Sequence, residues 1–177
     1  MKPGAVIVTV IAVLVGLALY AVASFGPDGM VVGIGRLDDF PPGSVTPVTI
    51  EARLTAHVPR VSDNAQSGIV EVPIFVVNHP ARGLVVLYAS DPHLGCRVVP
   101  TSELPPSYNG ELSEATVFLN PCHGEQYDIL GRYISGPSPR GLDRFGVSVE
   151  GDHLIVKLTE FSYGSPAPSP APSPAPS

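Results

Sequence analysis

The sequence predicts an all-β fold built from short antiparallel strands. It contains 18 glycines and 21 prolines in 177 residues, and such residues separate short strands by turns. Apolar runs such as residues 69–77 follow polar turns such as residues 62–68, and long amphipathic helical runs are missing. Once an apolar N-terminus and a Pro-rich C-terminus are set aside, about one domain's worth of chain remains. We therefore expect one all-β domain.

Residues 1–25 are predicted to be a single transmembrane anchor. Residues 5–25 form a run of 21 positions without a charge, and at about 1.5 Å per residue this run reaches across a hydrocarbon core of about 30 Å. Lys2 precedes the run and the next basic residue is Arg36, so the positive-inside rule places the N-terminus in the cytoplasm. Residues 21–24 (AVAS) also fit a signal peptidase site, which leaves a cleaved signal peptide as the alternative. Both interpretations export the domain across the cell membrane.

The rest of the chain divides into a linker, a domain and a tail. Residues 26–30 are the short linker, and residues 31–162 are the predicted domain, in which residues of about 84–136 form a smaller loop-bearing subdomain. Residues 163–177 are predicted to be a disordered tail, because their repeated Ser-Pro-Ala-Pro lacks backbone donors and favours polyproline II. The tail is either a solvated end or a docking strip for a partner's aromatic groove.

Two short loops contain the residues with the strongest chemical signal. The first loop is residues 91–96 (DPHLGC) and the second loop is residues 120–125 (NPCHGE), and each holds one of the two cysteines, Cys96 and Cys122, and one histidine, His93 or His123. In an exported chain two thiols that meet will oxidise, and a disulfide closing about 26 residues would contribute on the order of 3 to 4 kcal/mol. A zinc site made by the same four side chains is the alternative.

These loops resemble those of the Rieske iron–sulfur proteins of quinol-oxidising membrane complexes, whose loops read CTHLGC and CPCHG. Residues 136–145 (GPSPRGLDRF) resemble the Pro loop of that family, and residues 35–48 resemble the start of its domain. The similarity covers roughly residues 31–161. It implies a Rieske-like antiparallel β-sandwich with a small loop-bearing subdomain, preceded by one N-terminal transmembrane helix.

The resemblance also implies roles for the loop residues. His93 and His123 stand where the family places its two histidine ligands, and Cys96 and Cys122 stand where it places the disulfide that ties the loops together. The family's tyrosine is retained as Tyr127. Its serine is replaced by a glutamate at position 125, which as a carboxylate can only accept hydrogen bonds. We expect the Tyr127 hydroxyl to find its acceptor in Asp91 or Glu125.

The first residue of each loop departs from the family. The family has cysteine ligands there, and this chain has Asp91 and Asn120. Because one iron of a Rieske cluster is held by two thiolates and the other by two imidazoles, only the imidazole side keeps its ligands. We therefore expect no cofactor, with a [2Fe-2S] cluster unlikely for this donor set. The alternative is a single iron or zinc ion held by Asp91, His93 and His123.

Together these observations predict a cluster-less, Rieske-like accessory subunit of a respiratory or photosynthetic membrane electron-transfer complex. One alternative is an electron-transfer subunit with an altered [2Fe-2S] site, and the other is a mononuclear metal-binding protein. We expect a non-catalytic subunit, although the sequence leaves open whether the chain has an enzymatic role. The expected partners are other subunits and membrane lipid. The net charge of -6 and only ten basic residues argue against nucleic acid.

Overall fold

The computed structural model describes residues 30–64, 69–104 and 110–168. Over these residues the protein is all-β with antiparallel sheets, which confirms the predicted fold class. The predicted anchor at residues 1–25, all but the last residue of the linker, and residues 169–177 of the tail lie outside the described residues. Within the described ranges, no helix has the length and apolar character needed to cross a membrane.

The described residues form ten strands and three single-turn 3-10 helices. The six longer strands are β1 (Val31–Arg36), β2 (Val45–Ala52), β3 (Val70–His79), β4 (Gly83–Tyr88), β9 (Arg144–Glu150) and β10 (His153–Ser162). The four shorter strands are β5 (Val99–Pro100), β6 (Phe118–Leu119), β7 (Gln126–Tyr127) and β8 (Tyr133–Ser135). The 3-10 helices are Leu37–Asp39, Ser62–Asn64 and Thr101–Glu103.

The first of two compact units contains the described residues up to position 86 together with Phe145–Phe161. The six-stranded sheet has the order β1-β10-β9-β4-β3-β2. Along β10 the side chains of Leu154, Val156 and Leu158 are fully buried while their neighbours are partly or fully exposed, as the two-residue period of a strand requires. Pro47 lies on the edge strand β2, where a missing backbone donor is tolerated.

The second unit contains Leu87–Arg144 together with the described residues from position 162 onward. Its four short strands are ordered β5-β6-β7-β8, and each neighbouring pair is antiparallel. Phe118, Leu119, Tyr127 and Leu142 are fully buried in its core. This unit carries both loops, because the first loop lies between β4 and β5 and the second loop joins β6 to β7.

Candidate functional site

The first loop is closed by hydrogen bonds that begin and end on its leading residue. The Asp91 N–H donates to the carbonyl of Cys96 at 2.9 Å, and the Gly95 N–H donates to the carbonyl of Asp91 at 3.0 Å. Gly95 has a φ of +79°, a left-handed conformation that glycine adopts without strain. The Oδ2 atom of Asp91 also accepts the N–H groups of His93 at 3.0 Å and Leu94 at 3.1 Å. Asp91 therefore caps its own loop in an Asx turn.

The second loop repeats this design. The Asn120 N–H donates to the carbonyl of Glu125 at 2.8 Å, and the Gly124 N–H donates to the carbonyl of Asn120 at 2.8 Å. Gly124 has a φ of +82°. The Oδ1 atom of Asn120 accepts the N–H of Cys122 at 2.8 Å. Each loop thus has six residues, an Asx residue first, a proline second and a left-handed glycine fifth.

The two leading side chains are both fully buried but have different further contacts. The Tyr127 hydroxyl donates to Oδ1 of Asp91 at 2.6 Å, so this residue of β7 is held against the first loop as the sequence led us to expect. Burial and this hydrogen bond raise the pKa of Tyr127 well above its ordinary value, so its hydroxyl stays protonated. By contrast, Nδ2 of Asn120 is buried without a hydrogen-bond partner among the described residues.

Glu125 lies between the two histidines. Its side chain is fully buried, and its Oε1 atom lies 2.9 Å from Nδ1 of His93 and 4.0 Å from Nδ1 of His123. The 2.9 Å contact is a hydrogen bond between Nδ1 of His93 and Oε1 of Glu125. The two imidazole rings meet edge to face with centroids 5.3 Å apart, and both side chains are partly exposed. The Oε2 atom of Glu125 is buried without a hydrogen-bond partner in the described part of the chain.

The two cysteines are close together as free thiols, so the structure does not contain the predicted disulfide. A hydrogen bond with Cys122, followed by burial, raises the pKa of Cys96 to about 11. A hydrogen bond between two thiols therefore stands where the sequence predicts an S–S bond. The folded loops still bring Cys96 of the first loop to Cys122 of the second, which is the pairing that the sequence predicts.

The possible ligand atoms are grouped differently from the set that the sequence suggests. His93, His123 and Glu125 offer one ligand atom each, and these atoms lie within 4.8 Å of one another. Asp91 is not in that group, because its oxygens accept from Tyr127 and from the backbone of its own loop. From the sequence, Glu125 is expected as a replacement for the family's serine and as a possible acceptor for the Tyr127 hydroxyl, but not as a neighbour of both histidines. The sequence does contain a signal for the shape of the two loops. The pattern Asx-Pro-x-x-Gly occurs in both of them and predicts the same turn in each.

Comparison with known proteins places these loops in context. No protein-family model matches the chain. The cytochrome b6-f complex iron-sulfur subunit of Synechococcus sp. (strain CC9605) is 32% identical over 152 residues, covering 83% of this chain and 79% of that protein. The protein of the same name from Synechococcus sp. (strain WH7803) is 34% identical over 122 residues, covering 66% of this chain and 62% of that protein.

Two solved structures are also similar. The plasma membrane Rieske protein PetC3 from Synechocystis PCC 6803 shares 21% identity with a TM-score of 0.41, covering 71% of this chain and 98% of that one. A chain of a hyperthermophilic respiratory complex III shares 21% identity with a TM-score of 0.44, covering 85% of this chain and 98% of that one.

The relatives correct the expectation that these loops have no cofactor. Both Synechococcus proteins are iron-sulfur subunits. The prediction of no cofactor, with a single iron or zinc ion as the alternative, is therefore wrong for the proteins that these relatives represent. The prediction relied only on the missing thiolates at positions 91 and 120. The donor set does differ from that of a two-thiolate, two-imidazole cluster, because Nδ2 of Asn120 can only donate and Asp91 is engaged by Tyr127.

Proposed function

This chain belongs to the Rieske iron–sulfur protein family, and from that membership we propose that it is an accessory subunit of a membrane electron-transfer complex. The alignment with the strain CC9605 protein spans 79% of that relative, so it covers most of a subunit that assembles in a cytochrome b6-f complex. In the proposed role the exported domain docks on other subunits through the tips of its two loops. The predicted anchor at residues 1–25 would hold it at the membrane.

The observation that supports this role best is the capping of both loops by their leading residues. Asp91 and Asn120 are turned inward and accept hydrogen bonds from their own loops, which holds each loop in one conformation. The loop tips expose an apolar and polar surface, in which Leu94 is 66% exposed and His93 and His123 are partly exposed. A rigid surface of this composition suits protein docking, because little ordering is needed on association.

Co-purification tests the docking role. The tagged full chain is extracted gently from its native membranes, and the co-purifying subunits are identified and quantified by mass spectrometry. We expect Leu94→Asp to reduce the recovered complex by at least about fivefold, since a charge replaces an apolar contact of roughly 1 kcal/mol or more. Leu112→Asp is the matched control, because Leu112 is also exposed but lies outside both loops. Recovery of no electron-transfer subunits with the unmodified chain would overturn the proposal.

A second candidate role is electron transfer through an altered [2Fe-2S] site. It is favoured by the iron-sulfur relatives and by the two adjacent imidazoles of His93 and His123. The double substitution His93→Gln, His123→Gln separates the two roles. Measured per assembled complex, so that any change in docking is divided out, an accessory subunit predicts that the quinol oxidation rate stays at about half or more, whereas an electron carrier predicts a loss of about hundredfold or more, since no parallel route replaces its cofactor. Iron and acid-labile sulfide analysis of the same sample gives an independent readout.

A further inference from the structure

The first residues of the Pro-rich C-terminal segment pair with the Pro loop, residues 136–145. The Gly141 N–H donates to the carbonyl of Ser165 at 2.9 Å, and the Ala167 N–H donates to the carbonyl of Pro139 at 2.9 Å. Between these bonds an antiparallel bridge joins Arg140 to Pro166. The segment therefore returns along the Pro loop like a short extra strand, in the part of the chain where the sequence predicts a free tail.

A buried carboxylate anchors this pairing. The Oδ1 atom of Asp143 accepts the N–H of Gly164 at 3.0 Å and Nε of Arg140 at 2.9 Å, and its Oδ2 atom accepts Nη2 of Arg140 at 3.1 Å. The Asp143 side chain is fully buried, and these hydrogen bonds offset the cost of removing it from water. The Arg140 guanidinium also lies 4.7 Å from the centroid of the Tyr163 ring, where a cation is attracted by the ring face.

The backbone contact at Gly164 leaves no room for a side chain. Gly164 is buried, and a Cβ atom built on it would collide with the carbonyl oxygen of Gly141 and lie 2.7 Å from that of Leu142. Both obstacles are backbone atoms, so a larger residue would have to push the segment away from the Pro loop. The close approach thus depends on glycine at this position.

The Pro loop in turn contacts the residues that form the candidate site. A Cβ atom on Gly136 would lie 2.7 Å from Cα of Glu125, so the loop backbone packs directly on that residue. The Ser138 hydroxyl lies within reach of the Tyr127 side chain and donates to the carbonyl of Arg140 at 2.9 Å. A continuous series of contacts therefore leads from the C-terminal segment, through the Pro loop, to Glu125 and Tyr127.

We propose that residues 163–167 are a strap that holds the Pro loop against Glu125 and Tyr127 and so positions the second loop. None of the contacts of the strap described above is with His93 or His123. The strap is therefore a positioning element. This inference does not depend on whether the domain docks partners or transfers electrons. It assigns a specific task to a segment whose composition alone indicates only a solvated end.

Two truncations of the full chain test the strap. A chain ending at Ser162 lacks it, and a chain ending at Pro168 keeps every contact described here and serves as the matched control. We expect the first truncation to raise amide hydrogen exchange in residues 138–143 and 124–127 by at least about tenfold, with β3 unchanged, because only contacts to the Pro loop are lost. Unchanged exchange in those residues would overturn the proposal, and so would an equal rise in β3, which would show a general loss of stability.

A pair of point substitutions tests the same proposal without shortening the chain. Gly164→Ala displaces the strap, whereas Ser165→Ala changes an exposed neighbour whose role in the pairing is played by its backbone carbonyl. In the full chain in detergent micelles, we expect the first substitution to shift the nuclear magnetic resonance amide signals of Glu125 and Gln126 and the second to leave them in place. Identical spectra for both variants would overturn the strap even if the truncated chain failed to fold.

Discussion

The first and second loops close with the same three kinds of hydrogen bond, yet the side chains of their leading residues have different hydrogen-bond partners. Asp91 has two oxygen acceptors, and it uses one for its own loop and one for the Tyr127 hydroxyl. Asn120 has one oxygen, which it uses for its loop, and its amide nitrogen is left buried without a partner in the described residues. A buried donor without a partner is unfavourable by about 1 to 3 kcal/mol.

The capping bonds that both leading residues accept show that the leading position of each loop has a role in folding that is separate from any metal chemistry. An acceptor is needed there because the N–H groups of the following turn point back at it. Asp and Asn supply that acceptor, so the loops keep their shape with oxygen in place of a thiolate. The leading residue of the first loop is additionally tied to the core of its unit through the Tyr127 hydroxyl, since Tyr127 is fully buried.

Oxidation of the cysteine pair should have the largest effect, because it would link the two loops covalently. A disulfide between Cys96 and Cys122 closes about 26 residues and should raise the free energy of unfolding by on the order of 3 to 4 kcal/mol through the entropy of the unfolded chain. Thermal unfolding of the full chain, oxidised and then reduced, measures this difference.

Cys122→Ser supplies the control for that experiment. This variant cannot form the bond, so its melting temperature should be the same under oxidising and reducing conditions. If the unmodified chain also melted at one temperature under both conditions, although mass spectrometry showed the bond to be formed, the two loops would gain nothing from being linked.

Removal of the leading side chains should reproduce the contrast between the loops directly. Asp91→Ala removes two loop-capping bonds and leaves the buried Tyr127 hydroxyl without its acceptor, so we expect a loss of about 3 kcal/mol or more. Asn120→Ala removes one capping bond but also removes an unpartnered donor, so we expect a loss of about 1 kcal/mol or less. Chemical unfolding of both variants, under reducing conditions, measures the difference.

Tyr127→Phe identifies the source of the larger effect. If the contrast comes from the hydroxyl, Asp91→Ala introduced into a Tyr127→Phe background should be less destabilising than in the unmodified chain, because no donor is then orphaned. Equal losses for Asp91→Ala and Asn120→Ala in the unmodified chain would show that both leading residues serve their loops alone.

The sequence predicted the strands and the site to different extents. The all-β class followed from turn residues and alternating apolar positions, and β10 has the alternating burial that such a pattern predicts. The proximity of Cys96 and Cys122 also followed from local motifs, whereas the predicted bond between them is not formed. By contrast, the burial of Glu125 between two histidines depends on contacts from residues that lie far apart in the chain, such as Gly136 and His93. Local pattern carries little information on such contacts.

The C-terminal segment shows the same limit. Its prolines and serines indicate an unpaired tail, because proline cannot donate to a ladder. Pairing is still achieved because the donors are Gly141, Gly164 and Ala167, and the backbone acceptors are the carbonyls of Ser165 in the segment and Pro139 in the Pro loop. The buried acceptor Asp143 that holds the turn is twenty residues earlier in the chain, and nothing in the segment itself points to it.

The pH-dependent properties of the reduced cysteine pair, its alkylation rate and its contribution to stability, should show the smallest effect. They should also give the most local measure of contact between the loops. The Cys96 thiol donates a hydrogen bond to Cys122, which together with burial raises the pKa of Cys96 from 9.0 to about 11, and only the thiolate is alkylated. At pH 8 we expect Cys96 in the folded, reduced chain to react with iodoacetamide up to about a hundredfold more slowly than in the unfolded chain, which is the ratio of thiolate for two pKa units. Cys122→Ala should recover most of that rate, since it removes the main cause of the shift while leaving access to Cys96 at least as open.

The raised pKa of Cys96 in the folded state also sets the pH dependence of stability. The contribution of Cys96 to the free energy of unfolding is complete below about pH 9 and is lost as the pH rises through about 11. The reduced chain should therefore lose stability in that interval more steeply than Cys122→Ala. Equal alkylation rates in the two proteins would show that Cys122 does not hold the Cys96 proton, and the contact between the loops would then depend on other bonds, such as the one between His93 and Glu125.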